Sequence, residues 1–244
     1  HSWKVSGILN GIDVDLYNPQ TDPEIAAHFS AKAWVRGKAA CKKVLQEELG
    51  LPKEARIPLF AMVTRLDPQK GMDLLFHILD EWLEESIQFI LLGTGDPSYE
   101  KEAQDAMERH PDRMRAIISY DRHLSRRIYA GADLFVMPSL FEPCGLSQMI
   151  AMRYGTLPLV RQTGGLADTV EAFNRYEGSG NGFGFANINA HELLFTAKEA
   201  ARVYKEDQSG WRHMVQRAMT GDYAWSKSAY SYAVLYQEIL EETR

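Results

Sequence analysis

The 244-residue chain has only two cysteines and no long hydrophobic stretch. Cys41 and Cys144 stand far apart, with no Cys-x-x-Cys and no Cys/His cluster. That excludes a structural zinc site and a disulfide framework, and a reduced cytosolic setting is the expectation. No run approaches the ~18 consecutive apolar residues of a membrane span. The opening HSWKVSGILNGID lacks the basic start and long apolar run of a signal peptide. Initiator Met is also missing, so a piece of a longer polypeptide is expected. The seven histidines form no metal spacing. The dinucleotide fingerprint is missing too: GTGDPS at 93–98 lacks the third glycine of GxGxxG, which disfavours a nicotinamide cofactor. The formal net charge of -6 argues against nucleic acid or an anionic membrane as the main partner.

What the chain does have is rhythm. Apolar residues make up 45% and charged residues 25%, enough for an ordinary globular core. Residues 1–24 read as a connector with tight turns, and 31–49 as a helix stopped by Gly50 and Pro52. Short apolar runs then alternate with helical patterns. The runs are 57–63, 88–92, 115–118, 134–137 and 157–160; the helices are 72–83, 99–109, 124–130, 146–154 and 166–173. Such alternation predicts βαβ units and a doubly wound parallel sheet of Rossmann-like type. After Phe185 three helical stretches follow, so a helical tail over about 189–244 is expected. Trp211, Tyr223, Trp225 and Tyr230 in that tail suit helix packing, with binding of a ligand at the surface as the alternative.

In an open parallel sheet, ligands bind beyond the carboxyl ends of the strands. The loops there are TRLDPQKG, GTGDP, SYDRH, PSLFEPCG and RQTGG. Arg65 and Lys70 flank one strand-to-helix turn, a pattern that suits a diphosphate clamp but also two solvated loop charges. Gly145 turns the chain into a helix start, where the amides of Leu146 and Ser147 and the Ser147 hydroxyl can meet a phosphate. Glu142 beside it can accept from sugar hydroxyls or pair with a neighbour. Thr163-Gly164-Gly165 suits either close approach to a ligand or a plain left-handed turn. Tyr120 can stack on a base or sit half-buried at a strand end. Cys144 has no readable His partner, and a small buried residue is its simpler reading.

The motifs ILNGID at 8–13, TRLDPQKGMDLL at 64–75, LGTGDPSYE at 92–100, PSLFEPCGL through TGGLADTV at 138–170, and NGFGF at 181–185 run nearly end to end. Together they resemble the bacterial glycogen synthase and plant starch synthase family. That resemblance implies the C-terminal, donor-binding half of a two-domain GT-B fold, with the N-terminal domain absent from this chain. It implies retaining transfer of glucose from ADP-glucose, or UDP-glucose in some members, to the non-reducing end of an α-1,4-glucan. No metal or other cofactor is implied, and the 244 residues alone are expected to be inactive. The partners implied are ADP-glucose or ADP, the glucan, and the missing domain; the setting is bacterial cytoplasm, or a plastid. Residue by residue, the family's catalytic set falls on Arg65, Lys70 and Glu142. Its donor-binding set falls on Asn10, Tyr120, Cys144, Gly145, Leu146, Ser147, Thr163, Gly164 and Gly165. Two departures stand out. Ser147 replaces a Thr common in bacterial members and keeps the hydroxyl. Ile150 stands where the broader GT-B class often has a second Glu.

Overall fold

The computed structural model describes residues 5–242, the last of them by its backbone alone. Six strands form one parallel sheet: β1 Leu59–Val63, β2 Gln88–Leu92, β3 Met114–Ile117, β4 Leu134–Met137, β5 Leu157–Arg161 and β6 Phe183–Phe185. Their order across the sheet is β3-β2-β1-β4-β5-β6. Phe60 sits opposite Phe89 on one side and Leu134 on the other. Strands covered on both faces read as unbroken apolar runs, which is why LFAMV and QFILL carry no alternation.

Helices α1 Trp34–Glu48, α2 Met72–Glu84, α3 Pro97–Arg109, α4 Arg122–Gly131, α5 Ser147–Arg153 and α6 Gly164–Thr169 cover the two faces. In α2, Met72, Leu75, Ile78, Leu79, Trp82 and Leu83 are buried, a one-sided stripe at helical spacing. Trp82 meets Phe60 edge-on with ring centroids 4.7 Å apart. Each fully buried large side chain of this kind contributes about 1.5–3 kcal/mol. Asp96 and Asp121 cap α3 and α4 by accepting from the first free amides.

Helices α7 Ala190–Glu206, α8 Gln208–Thr220 and α9 Trp225–Glu242 close the chain. Trp211 is core, Tyr223 is half-buried, and Trp225 and Tyr230 are exposed. The last helix meets the connector: Ile12 N donates to Tyr223 O at 2.8 Å and Ser228 Oγ to Leu9 O at 2.7 Å. The connector is also stapled to the sheet layer. Buried Asp22 accepts from Arg126 Nε at 2.9 Å, from Arg126 Nη2 at 2.6 Å, and from the Tyr154 hydroxyl. Burial and then Asp22 hold the Tyr154 phenol protonated above its usual range.

Two expectations about elements need correction. The helix expected over 166–173 stops at Thr169, because Phe173 N donates to Gly182 O at 2.9 Å and the segment runs beside β6. Residues 183–185, unread as a strand, form the edge strand β6; the Gly between two Phe residues disguised it.

Candidate active site

The strand order reverses between β1 and β4, so the crevice belongs at their carboxyl ends. The loop after β1 is built around Asp67. Its Oδ1 accepts from Lys70 N at 3.1 Å, and Pro68 starts a single 3₁₀ turn, Pro68–Lys70. Gly71 then adopts φ 75°, and a Cβ there would lie 2.1 Å from Pro138 O. Only glycine lets this loop press against the loop after β4. The contact is fastened by Leu140 N to Gln69 O at 2.8 Å and Gln69 Nε2 to Phe141 O at 3.3 Å. The consequence is an ion pair across the switch point. Lys70 Nζ stands 2.6 Å from Glu142 Oε2, with the side chains 17% and 11% exposed.

The loop after β4 is held from behind. The Arg161 guanidinium donates to Ser139 O at 2.9 Å and to Leu140 O. Buried Gln148 donates through Nε2 to Cys144 O at 3.1 Å and Gly145 O at 3.0 Å. Gln148 Oε1 is buried without a partner among the described residues. Gly164 and Gly165 form a further brace. Gly165 N donates to Glu142 O at 3.0 Å, and a Cβ on either glycine would lie 2.2–2.3 Å from the carbonyl oxygen of Glu142 or Cys144. The glycine pair expected to admit a ligand therefore presses on this chain's own loop.

Two cavities meet at the crevice and share Val63, Thr64, Leu146 and Ser147. The smaller, about 110 Å³, holds Lys70, Glu142, Ser139 and Gly145. The larger, about 550 Å³, holds Arg65, Tyr120, Tyr17 and Arg126. The latter volume lies in the range of small-molecule sites. Tyr120 is 85% exposed at its rim, which sets aside the half-buried alternative. Arg65 is solvent-facing, with Nη2 3.3 Å from Asp67 Oδ2. Tyr129 also lines this cavity, and burial pushes its phenol up to about 12.

The structure thus brings Arg65, Lys70, Tyr120, Glu142, Gly145, Leu146 and Ser147 to one place. Asn10, Cys144, Thr163, Gly164 and Gly165 line neither cavity. Asn10 is exposed on the connector, and Cys144 Sγ lies 3.4 Å from Gly145 O with its side chain against the core. Helices α5 and α6 have 7 and 6 residues, so they offer a few free amides rather than a large dipole. Sequence reasoning missed Asp67, Arg161, Gln148 and the Asp22–Arg126 pair. Only Asp67 left a signal, the Asp-Pro-x-Lys spacing of a capped turn. A larger cavity, about 1040 Å³, lies at the opposite edge of the sheet and contains none of these residues. The crevice is the candidate site because it lies at the topological switch point, where open parallel sheets bind ligands. No group of three or more His, Cys, Asp or Glu is placed to hold a metal ion among the described residues.

Sheet order and crevice define the class: a Rossmann-like α/β domain whose ligand site sits at the topological switch point. The chain belongs to the glycosyl transferases group 1 family, whose model matches residues 44–208. It is 48% identical over 239 residues to a glycogen synthase of Streptococcus sanguinis, covering 98% of this chain and 50% of that protein. It is 46% identical over 241 residues to a glycogen synthase of Bacillus cereus, covering 99% and 50%. Among solved structures it matches the catalytic domain of starch synthase IV from Arabidopsis thaliana, bound to ADP and acarbose. There the TM-score is 0.90 and the identity 42%, covering 98% of this chain and 50% of that one. The chain spans about half the length of the relatives it matches. Its architecture is that of the C-terminal half of a GT-B glycosyltransferase.

Proposed function

We propose that this chain is the donor-binding half of a glycogen or starch synthase that uses ADP-glucose. The observation that carries the reading is the Lys70–Glu142 pair, 2.6 Å apart, in a small cavity continuous with a nucleotide-sized one rimmed by exposed Tyr120. The adenine stacks on Tyr120, the diphosphate lies along Thr64, Arg65 and the first amides of α5, and glucose enters beside Glu142. In the transfer, the bond from glucose C1 to the phosphate oxygen breaks and ADP leaves with the electron pair. The non-reducing-end hydroxyl of an α-1,4-glucan bonds C1 with retained configuration and gives its proton to the departing phosphate oxygen of ADP.

Lys70 has three N–H donors and uses one on Glu142. The other two, with Arg65, neutralise charge growing on the leaving oxygen, a preorganised arrangement that replaces a metal ion. Glu142, held by Lys70 and braced through its own carbonyl, orients a glucose hydroxyl or stabilises positive character at C1. The missing half of the enzyme supplies the second wall of the cleft and much of the glucan site, in a cytoplasmic setting. The starch synthase relative bound to ADP supports adenine over uracil.

Calorimetric titration of this chain with ADP and UDP tests the donor half directly. ADP should bind, and Tyr120→Ala should weaken it about tenfold, as loss of one base–aromatic stack does. Tighter UDP binding would reassign the donor, and ADP binding indifferent to Tyr120→Ala would reject the stacking.

A further inference from the structure

At the amino ends of the strands lies the cavity of about 1040 Å³, with no lining residue in common with the donor crevice. Helix α1 forms one wall, the segment before β1 the floor, and the α7–α8 corner the other wall. Its charge is lopsided. Seven lining residues are Lys or Arg and one, Asp133, is acidic, in a chain whose formal net charge is -6. Asp133 is already matched by Lys42 at 2.6 Å, and Lys53 leans to Glu47 at 3.2 Å. Buried Lys38 donates to Ala130 O, Tyr154 O and Thr156 Oγ1, which fills its three donors. Four cations remain: Lys43, Arg56, Lys205 and Arg212. All are exposed, and none has an ion pair among the described residues. Four unpaired cations around one concavity repel one another and raise the local anion concentration.

The walls add shape to charge. Tyr204 is fixed by its hydroxyl, which donates to Ala55 O at 2.9 Å and accepts from Lys42 at 3.1 Å. Trp211 meets its ring edge-on at 4.9 Å. Trp34 is half-buried on the facing wall, with no ring partner among the described residues. A rigid aromatic wall opposite a free indole takes a flat or puckered ring; the cations take a phosphate. The concavity is sized for a small molecule rather than for an extended polymer.

We propose that this second cavity binds a small organic phosphate, a ring carrying one or more phosphate groups, independently of the donor site. Phenyl phosphate is the probe, followed by calorimetry and tryptophan fluorescence on the whole chain. Binding is expected, and Arg56→Glu/Arg212→Glu should weaken it at least tenfold, since each reversal replaces attraction by repulsion. Arg56→Lys/Arg212→Lys should restore most of it, which separates lost charge from lost folding. Lys70→Ala should change it less than twofold. The proposal is overturned by absence of binding, by equal affinity in the Glu variant, or by loss in Lys70→Ala alone, which would place the probe in the donor crevice. Phenol binding as tightly as phenyl phosphate would also overturn it, because the cations would then have no part.

Discussion

Two lysine–carboxylate pairs bridge the same two strands from opposite ends, each at 2.6 Å. Lys42–Asp133 sits where β1 and β4 begin, and Lys70–Glu142 where they end. They differ in what else they touch. Lys42 Nζ also donates to Ile57 O at 2.6 Å and reaches Tyr204 Oη, while Asp133 Oδ2 accepts from Leu59 N at 2.9 Å. Every donor of Lys42 is taken by this chain, and the side chains of the pair are 5% and 9% exposed. At the other end, among the described residues, Lys70 Nζ has one partner and the Glu142 carboxylate has, beyond it, only Ser139 Oγ at 3.5 Å. Equal distances therefore describe unequal functions. Both pairs border a cavity, but a lysine whose three donors are spent on the chain fixes strand ends, whereas one with two donors left has capacity for a ligand.

The comparison breaks if the two pairs respond alike to truncation. Lys42→Ala leaves Asp133 buried and uncompensated, and should cost about 3–5 kcal/mol of folding stability in urea titration. Lys70→Ala should cost within about 1 kcal/mol in the same assay, because water reaches Glu142 in the cavity. In the enzyme joined to its other half, Lys70→Ala should lower turnover by about two orders of magnitude, comparable to losing one oxyanion donor. Near-normal turnover would remove Lys70 from the chemistry and return the pair to scaffolding. A 3–5 kcal/mol loss for Lys70→Ala would show that both pairs are structural.

How much of this was legible follows from where the information lies. The sheet was readable because buried parallel strands are short apolar runs between helical periods, as in LFAMV and MDLLFHILDEWL. Edge strand β6 was not, since three residues around a glycine carry no period. At the site, Arg65, Lys70, Glu142 and Tyr120 were legible by residue type in strand-end loops. Their mutual geometry was not: no spacing says that residues 72 apart meet at 2.6 Å. The glycine pair at 164–165 reports close approach without saying to what, and what the structure adds is the contact with the carbonyls of Glu142 and Cys144. Asp22 and Arg126, 104 residues apart, left no local signal either, though they hold the wall that Leu16 and Tyr17 give the larger cavity. The cationic cavity at the amino edge was equally invisible, being assembled from α1, the segment before β1, and the α7–α8 corner.

The smallest effect sharpens the contrast within the amino edge itself. Lys38 lies one helical turn from Lys42 but has no carboxylate partner, only two carbonyls at 3.2 Å and Thr156 Oγ1 at 2.6 Å. Burial brings its pKa down from 10.5 to about 8, with Asp133 opposing the shift. Between those values the unfolded chain holds a proton that the folded chain has released. Raising the pH through that window therefore favours folding; below pH 8 the full cost of burying the charge is present. Lys38→Met removes this titration, while its lost hydrogen bonds shift stability by a pH-independent amount. The stability of the native chain relative to Lys38→Met should thus rise between pH 7.5 and 9.5, by roughly 1–2 kcal/mol at no more than about 1.4 kcal/mol per pH unit. Urea titrations at the two pH values measure it; the tyrosines common to both proteins cancel in the difference, and Cys41→Ser in both removes the thiol whose titration the Lys38 charge influences. A gap that stays constant would mean that Lys38 keeps its charge when buried. Carbonyl dipoles alone would then hold a lysine at this edge as firmly as a carboxylate does, and saturation of donors, rather than charge pairing, would be what separates the two ends of the sheet.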